Sequence, residues 1–310
     1  MICNCSYAVG ALILYNSGMP ELPEVETVRT GLSEILPGKR VKKVDHNWEK
    51  SFPNALTDVA KFLVDAKVTG VRRRAKVLLI DLSTNYSLVI HLKMTGQLVY
   101  RGKDQEFGAG HPSASLIGVL PDKSTRVDLT FTDGSHLFFN DQRKFGWMRL
   151  IPTPEVQQLD FFQKVGPEPL SADFTPEDFA KRLQRRAKSG IKAVLLDQTV
   201  IAGVGNIYAD ESLWSAKIHP LAKVQDVPTR QLSDLYKGLR DILTLSIEKG
   251  GSSARNYVDA EGKRGSYLDF ANVFNRTGQP CNRCGTLIIK TRVAGRGTHI
   301  CPHCQKAPLE

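Results

Sequence analysis

Four cysteines near the carboxyl end restrict what this chain can fold into more than any other feature. Cys281, Cys284, Cys301 and Cys304 form a C-x2-C-x16-C-x2-C pattern, a spacing that fits a four-thiolate zinc site. Between the pairs run Leu287-Ile288-Ile289, then Ala294-Gly295-Arg296-Gly297, then Thr298-His299-Ile300. That order reads as strand, tight turn and strand, so a hairpin is expected with a cysteine pair at each end. Two disulfides or a redox-active pair are the competing readings of the same spacing. Four thiolates complete a tetrahedral shell, so the expected Zn²⁺ is structural and leaves no position for a reacting water. His299 and His303 are then bystanders.

The 310 residues accommodate two or three domains. From Val41 to Ile151 the pattern is mainly β. Val77-Leu78-Leu79-Ile80 and Leu88-Val89-Ile90 are short apolar runs, and Val127, Leu129 and Phe131 alternate with polar residues. Asp133-Gly134 is a hairpin signal before Leu137 and Phe139. Short strands with such turns predict a sandwich or barrel. Gly102–Lys123, rich in Gly, Ser and Pro, reads as a long loop. Pro152, Pro154, Pro167 and Pro169 mark a linker over 152–169. Beyond it Thr175-Pro176-Glu177-Asp178 starts a helix, followed by helical stretches at Ala180–Lys188, Ile191–Thr199, Ile207–Ala216 and Pro228–Glu248. The expected division is 19–151, 152–169, 170–272 and 273–306, in a multidomain α+β chain.

Lys and Arg number 42 against 32 Asp and Glu, a net charge of +10. That balance favours a polyanionic partner, although ribosomal and membrane-surface proteins share it. No apolar run reaches the roughly 18 residues that span a bilayer. Residues 1–18 hold an apolar stretch at Ala8–Tyr15 but no basic residues and no cleavage signal. They are expected to be an upstream leader or a misassigned start, and Cys3 and Cys5 within them take no role. A reducing, cytosolic setting is the default for the remaining thiols.

Met19-Pro20-Glu21-Leu22-Pro23-Glu24-Val25-Glu26 follows directly. A peptide-bonded proline is inert, whereas a proline at the chain start is a secondary-amine nucleophile. Its attack on a sugar carbon gives an iminium whose charge cannot be lost from nitrogen, an electron sink for covalent catalysis. Glu21 could protonate a ring oxygen and later accept a proton. The plain alternative is a helix start, with proline in the first turn and the glutamates on the helix dipole. Val25, Val28, Leu32 and Ile35 support that helix under either reading.

Five further stretches carry candidates, each with an ordinary alternative. Arg72-Arg73-Arg74-Ala75-Lys76 opens a strand and offers Lys76 to a phosphate or sugar, unless it is a solvated edge. His91-Leu92-Lys93-Met94-Thr95-Gly96 ends a strand where a loop tip would project Met94, normally a core residue. Asn140-Asp141-Gln142-Arg143-Lys144-Phe145-Gly146 puts Arg143 and Phe145 on a loop, the residue types that enter a base stack. Ala202-Gly203-Val204-Gly205-Asn206-Ile207 places Asn206 at a helix N-terminus, which suits a phosphate or simple capping. Arg296 stands at the hairpin tip between two glycines.

PELPEVETVR, RRRAK, HLKMTG, DQRKFG, GPEPL, GVGNIYADE and the CxxC pair occur here in the order found in the formamidopyrimidine-DNA glycosylase family, which the chain resembles from Met19 to about Lys306. Gln142, Lys144 and Lys93 depart from the family's usual residues. The resemblance implies an N-terminal β-sandwich, a helix–two-turn–helix domain and a zinc hairpin gripping bent duplex DNA with an everted nucleotide. It implies Pro20 as nucleophile on C1′ of an oxidised purine nucleoside, Glu21 as acid and base, and successive β- and δ-eliminations. Met94, Arg143 and Phe145 would fill the emptied stack, Lys76, Asn206 and Arg296 would hold phosphates, and a lid over Ala260–Leu268, with Lys263 and Tyr267, would read the base. The same resemblance implies one structural Zn²⁺ per chain and a monomer acting at the nucleoid in the cytoplasm, on double-stranded DNA with oxidised bases and not at a membrane.

Overall fold

The structure is a computed structural model that describes residues 19–111, 113–252 and 267–308. Lys263 and most of the expected lid lie outside the described residues. The β-rich part is a sandwich of two antiparallel sheets with a helix along it. Helix α1 (Leu22–Ile35) precedes β1 (Val41–His46), β2 (Val68–Arg74), β3 (Val77–Leu82), β4 (Tyr86–His91), β5 (Gly96–Arg101), β6 (Glu106–Gly110), β7 (Thr125–Phe131), β8 (His136–Asp141) and β9 (Trp147–Pro152). One sheet runs β1-β7-β8-β5-β6 and the other β2-β3-β4-β9. The alternating residues Val127, Leu129, Phe131, Leu137 and Phe139 point inward and meet Leu78, Ile80 and Ile90 of the second sheet, with Val25, Val28 and Leu32 of α1 in the same core.

Strand β3 is apolar on both faces because it is covered on both. Leu78 and Ile80 face the sandwich core, whereas Val77 and Leu79 face Val156 and Phe162 of the connecting segment. The proline-rich stretch is therefore a packed strap with a short helix, α2 (Asp160–Lys164). Its Glu168 accepts hydrogen bonds from Arg73, Arg74 and the Ala75 amide, while Arg73 also reaches Glu26 of α1 at 2.7 Å. The stretch 102–123 is not wholly a loop, since it contributes the edge strand β6 paired with β5. Two glycines in β6 gave it no propensity; pairing and the packing of Phe107 over Gly31 of α1 supply what propensity lacks.

The helical part comprises α3 (Pro176–Gln184), α4 (Ile191–Leu196), α5 (Asn206–Ser215) and α6 (Thr229–Glu248). Thr175 caps α3 by accepting from the Asp178 amide at 3.1 Å. Leu232, Leu235, Leu239, Ile242 and Leu243 give α6 one apolar stripe. Helix α5 is buried on nearly every side, the pattern of a central helix. Its two buried acids are fully engaged. Asp210 pairs with the buried Lys192 at 2.6 Å and accepts from the His299 amide, and Glu211 accepts from the amides of Asn272, Val273 and Phe274.

Strands β10 (Ile289–Val293) and β11 (Arg296–Ile300) form the expected hairpin, paired Val293 to Arg296. Ala294 and Gly295, both at positive φ (50° and 71°), make the two-residue turn that suits strand twist. The four cysteine sulfurs lie within 4.8 Å of one another. That donor set fits a closed tetrahedral zinc site. Trp214 of α5 donates to Cys281, and Lys192 donates to Thr298, so the hairpin is bolted to the helical part.

Candidate active site

The first turn of α1 is inserted between the two lobes. The Leu22 amide donates to the Gly203 carbonyl at 3.0 Å, which fixes Pro20 and Glu21 against the glycine turn before α5. Gly203 has φ +79°, and a side chain there would strike Leu22 at 2.6 Å. A Cβ on Gly205 would lie 2.3 Å from the Glu21 carboxyl carbon. The glycines are therefore required by the close approach of Glu21 and Leu22, the sequence reason for GVG before Asn206.

Glu21 is buried, and one carboxyl oxygen accepts the Ile207 amide at 3.1 Å while the other has no partner. Burial pushes its carboxyl up to about 7, Lys76 pulls it down and Glu24 pushes it up again. Lys76 is held by the turn at Ala75 (φ +53°), and its ammonium donates to the Val204 carbonyl at 3.0 Å. Burial lowers Lys76, against the attraction of Glu21 and Glu24. Glu24 caps the Glu21 amide and also receives the Tyr208 hydroxyl and both the amide and hydroxyl of Ser252. An acid that exchanges its proton near pH 7 beside an amine of depressed basicity is an arrangement suited to proton transfer.

A cleft of about 690 Å³ opens above these groups. Met19, Glu21, Lys76, Met94, Asn206 and Arg296 all line it. Met19 is joined to the buried Pro20. Asn206 is not the cap of α5, a position taken by Gly205; as the first helical residue it turns its amide to the Gly297 carbonyl at 2.9 Å. Its side-chain oxygen has no partner. Asn206 and Arg296 thus arrive together from helix and hairpin.

Arg143 and Phe145 stand on the adjoining β8–β9 loop, outside the cleft lining, with the guanidinium 4.9 Å from the ring centre and the ring 54% exposed. The fully buried Asp141 ties this loop to the Met94 loop. It receives the Thr95 hydroxyl, the Arg143 amide and the Gly146 amide. The Lys144 ammonium lies 4.3 Å from the centre of the Trp48 ring. Tyr267 is not among the described residues that line the cleft: it is 1% exposed, packs on Tyr208 and donates to Glu211. Sequence reasoning missed His91, Lys93, Trp147, Phe161 and Gln198, which also line the cleft. His91, held down to about 3 by burial and by Lys93 and Lys76, is a neutral ring at the wall. Gln198 binds the Val204 carbonyl and the Gly203 amide; a polar residue inside an apolar helical run was its only signal.

The charge on Glu21 has a stability cost with a definite sign. Its folded pKa of about 7 exceeds the reference 4.5, so the folded state binds the proton more tightly and stability falls as pH rises from 4.5 through 7. Glu21→Gln removes this loss. The variant is expected to gain on the order of 3 kcal/mol over the parent between pH 4 and pH 8, read by denaturant unfolding at both pH values. A difference that does not change with pH overturns the assignment.

A sandwich and a helical lobe thus share one buried acid, Glu21, with a four-cysteine hairpin beside a cleft that Lys76, Lys93 and Arg296 line. Family models described as formamidopyrimidine-DNA glycosylase N-terminal domain, its H2TH domain, and the zinc finger found in FPG and IleRS match residues 19–148, 165–258 and 278–307. Curated formamidopyrimidine-DNA glycosylases from Pelotomaculum thermopropionicum and Herpetosiphon aurantiacus are each 42% identical, covering 93% of this chain and 99% and 100% of theirs. A Lactococcus lactis FPG variant in complex with a Fapy-dG-containing DNA superposes with a TM-score of 0.81 at 34% identity, over 93% of this chain and all of that one. The Lactococcus lactis enzyme bound non-covalently to an AP-site DNA gives 0.80 at 33%, with the same coverage. The chain belongs to the formamidopyrimidine-DNA glycosylase family, the DNA-repair glycosylases also called Fpg or MutM. No described helix is long and apolar enough to cross a membrane.

Proposed function

We propose that the chain is a bifunctional glycosylase and AP lyase that removes oxidised purines from duplex DNA. The observation that carries this reading is Glu21, a buried carboxyl raised to about 7, next to Pro20 and facing Lys76 in the cleft. Freed as the first residue, the Pro20 amine attacks C1′ of an everted nucleoside, and the base departs with its bonding electrons and takes up a proton. Glu21 protonates the ring oxygen as the sugar opens, leaving an iminium between Pro20 and C1′. Loss of a C2′ proton expels the 3′ phosphate, and a second elimination expels the 5′ phosphate. A one-nucleotide gap with phosphate at both ends remains.

Asn206, Arg296 and Lys76 supply donors for the flanking phosphates, and Met94, Arg143 and Phe145 fill the vacated stack, with Arg143 toward the orphan cytosine. One Zn²⁺ per chain holds the hairpin and takes no part in the bond-breaking steps. The protein works as a monomer in the cytoplasm at the nucleoid. A protein whose first residue is Pro20 is expected to release 8-oxoguanine and formamidopyrimidines faster than oxidised pyrimidines from otherwise identical duplexes, with doubly phosphorylated gap ends. Intact strands, or faster release of pyrimidines, contradict the reading.

A further inference from the structure

The cleft wall holds more than base release requires. Lys93, Trp147 and Phe161 line it, and the chemistry above uses none of them. Lys93 comes from the turn after β4, Trp147 from the start of β9 and Phe161 from α2. Pairing of β4 with β9 sets Trp147 opposite His91, and the two rings lie 5.9 Å apart. Arg149, two residues along β9, shares the face of Trp147, with its guanidinium 4.6 Å from the ring centre. These side chains form one strip, aromatic in the middle and basic at its edges, that runs outward from the cleft.

The charges on this strip are left uncompensated. The neighbouring arginines Arg72, Arg73 and Arg74 each face a carboxylate at 2.7–2.9 Å. Among the described residues, no carboxylate pairs with Lys93 or Arg149. Lys93 is half-buried at φ +51°, and burial together with Arg149 lowers its ammonium below the ordinary lysine range. Two cations crowded together beside a partly exposed indole repel each other until an anion lies between them.

Building on the proposed function, we propose that this strip is a second strand-binding subsite. It takes the sugar-phosphate of the damaged strand immediately beyond the nucleotide gripped by Lys76, Asn206 and Arg296. The phosphates sit between Lys93 and Arg149, and a sugar or base packs on Trp147, as in sequence-tolerant single-strand grooves.

The test measures affinity of the zinc-loaded protein starting at Pro20 for duplexes with a central abasic analogue, against salt. Lys93→Gln with Arg149→Gln removes both charges while leaving a shorter polar side chain at each position. It is expected to weaken binding about tenfold and to lower the log–log salt slope by about 2. Trimming the damaged strand on one side of the lesion should weaken the parent by a similar factor and the double variant hardly at all. Trp147→Leu, which retains an apolar plug, should lose several-fold in affinity with the slope unchanged. A parental slope in the double variant, or equal sensitivity of both proteins to trimming, overturns the subsite. Borohydride trapping of the parent on abasic DNA is measured alongside. A trapped parent with an unaltered double variant sinks the subsite alone, whereas an untrapped parent sinks the enzymatic reading and the subsite with it.

Discussion

Shortened so that Pro20 is its first residue, the protein is expected to be captured by borohydride as a covalent adduct on abasic duplex, while the chain that retains residues 1–18 gives none above background. The reason is valence. A peptide-bonded proline nitrogen has neither a proton to lose nor a lone pair to offer, and in the structure Met19 is among the residues lining the cleft. The effect is all or none for trapping. Pro20→Gly in the shortened chain keeps an amine but loses the fixed iminium charge and the ring that seats it. It is expected to hold DNA normally and to excise bases about 10²–10³-fold more slowly. Mass determination of the amino terminus of the active material is the companion measurement. Full-rate cutting by a chain that demonstrably keeps Met19 would mean that another group forms the bond.

Stripping the metal with a chelator, or Cys301→Ser, is expected to cost at least about 10²-fold in DNA affinity. Zinc contributes roughly 10–16 kcal/mol to small thiolate domains, more than the few apolar residues around these cysteines can replace. The cluster of Trp214, Val273, Ile288 and the cysteines is separate from the sandwich core. Unfolding should therefore stop at the hairpin and spare α1. What is lost is the placement of Arg296, and of Asn206 through its bond to Gly297. Titration of labelled duplex before and after chelation, with re-addition of Zn²⁺, measures the effect. Unchanged affinity in demonstrably metal-free protein would remove the hairpin from the binding surface.

Much of this architecture was legible because its signals are local. The thiol spacing, the Asp133-Gly134 turn and the Thr175 cap each act over a few residues, and each appears where it was expected. Strand β6 was not legible, because its two glycines have low strand propensity and only its partners β5 and α1 make it a strand. Met94, Lys76, Asn206 and Arg296 were named from motifs, and their convergence on one cleft is a long-range fact. Trp147 and Phe161 could not be found from sequence at all, since an aromatic residue in a strand or short helix reads as core. Tyr267 shows the converse: a tyrosine in a presumed reading loop whose hydroxyl is consumed by the buried Glu211.

The seam along α1 has a consequence for how such proteins can be recombined. Glu21 takes its amide donor from Ile207, Glu24 its hydroxyl from Tyr208, and Lys76 its acceptor from Val204. Each half of the molecule thus completes the other's hydrogen bonds. A chimaera that joins the sandwich of one relative to the helical lobe of another inherits working parts only if both margins of that seam come from the same parent, and the crossover best tolerated is one that carries the first turn of α1 along with the glycine turn it rests upon.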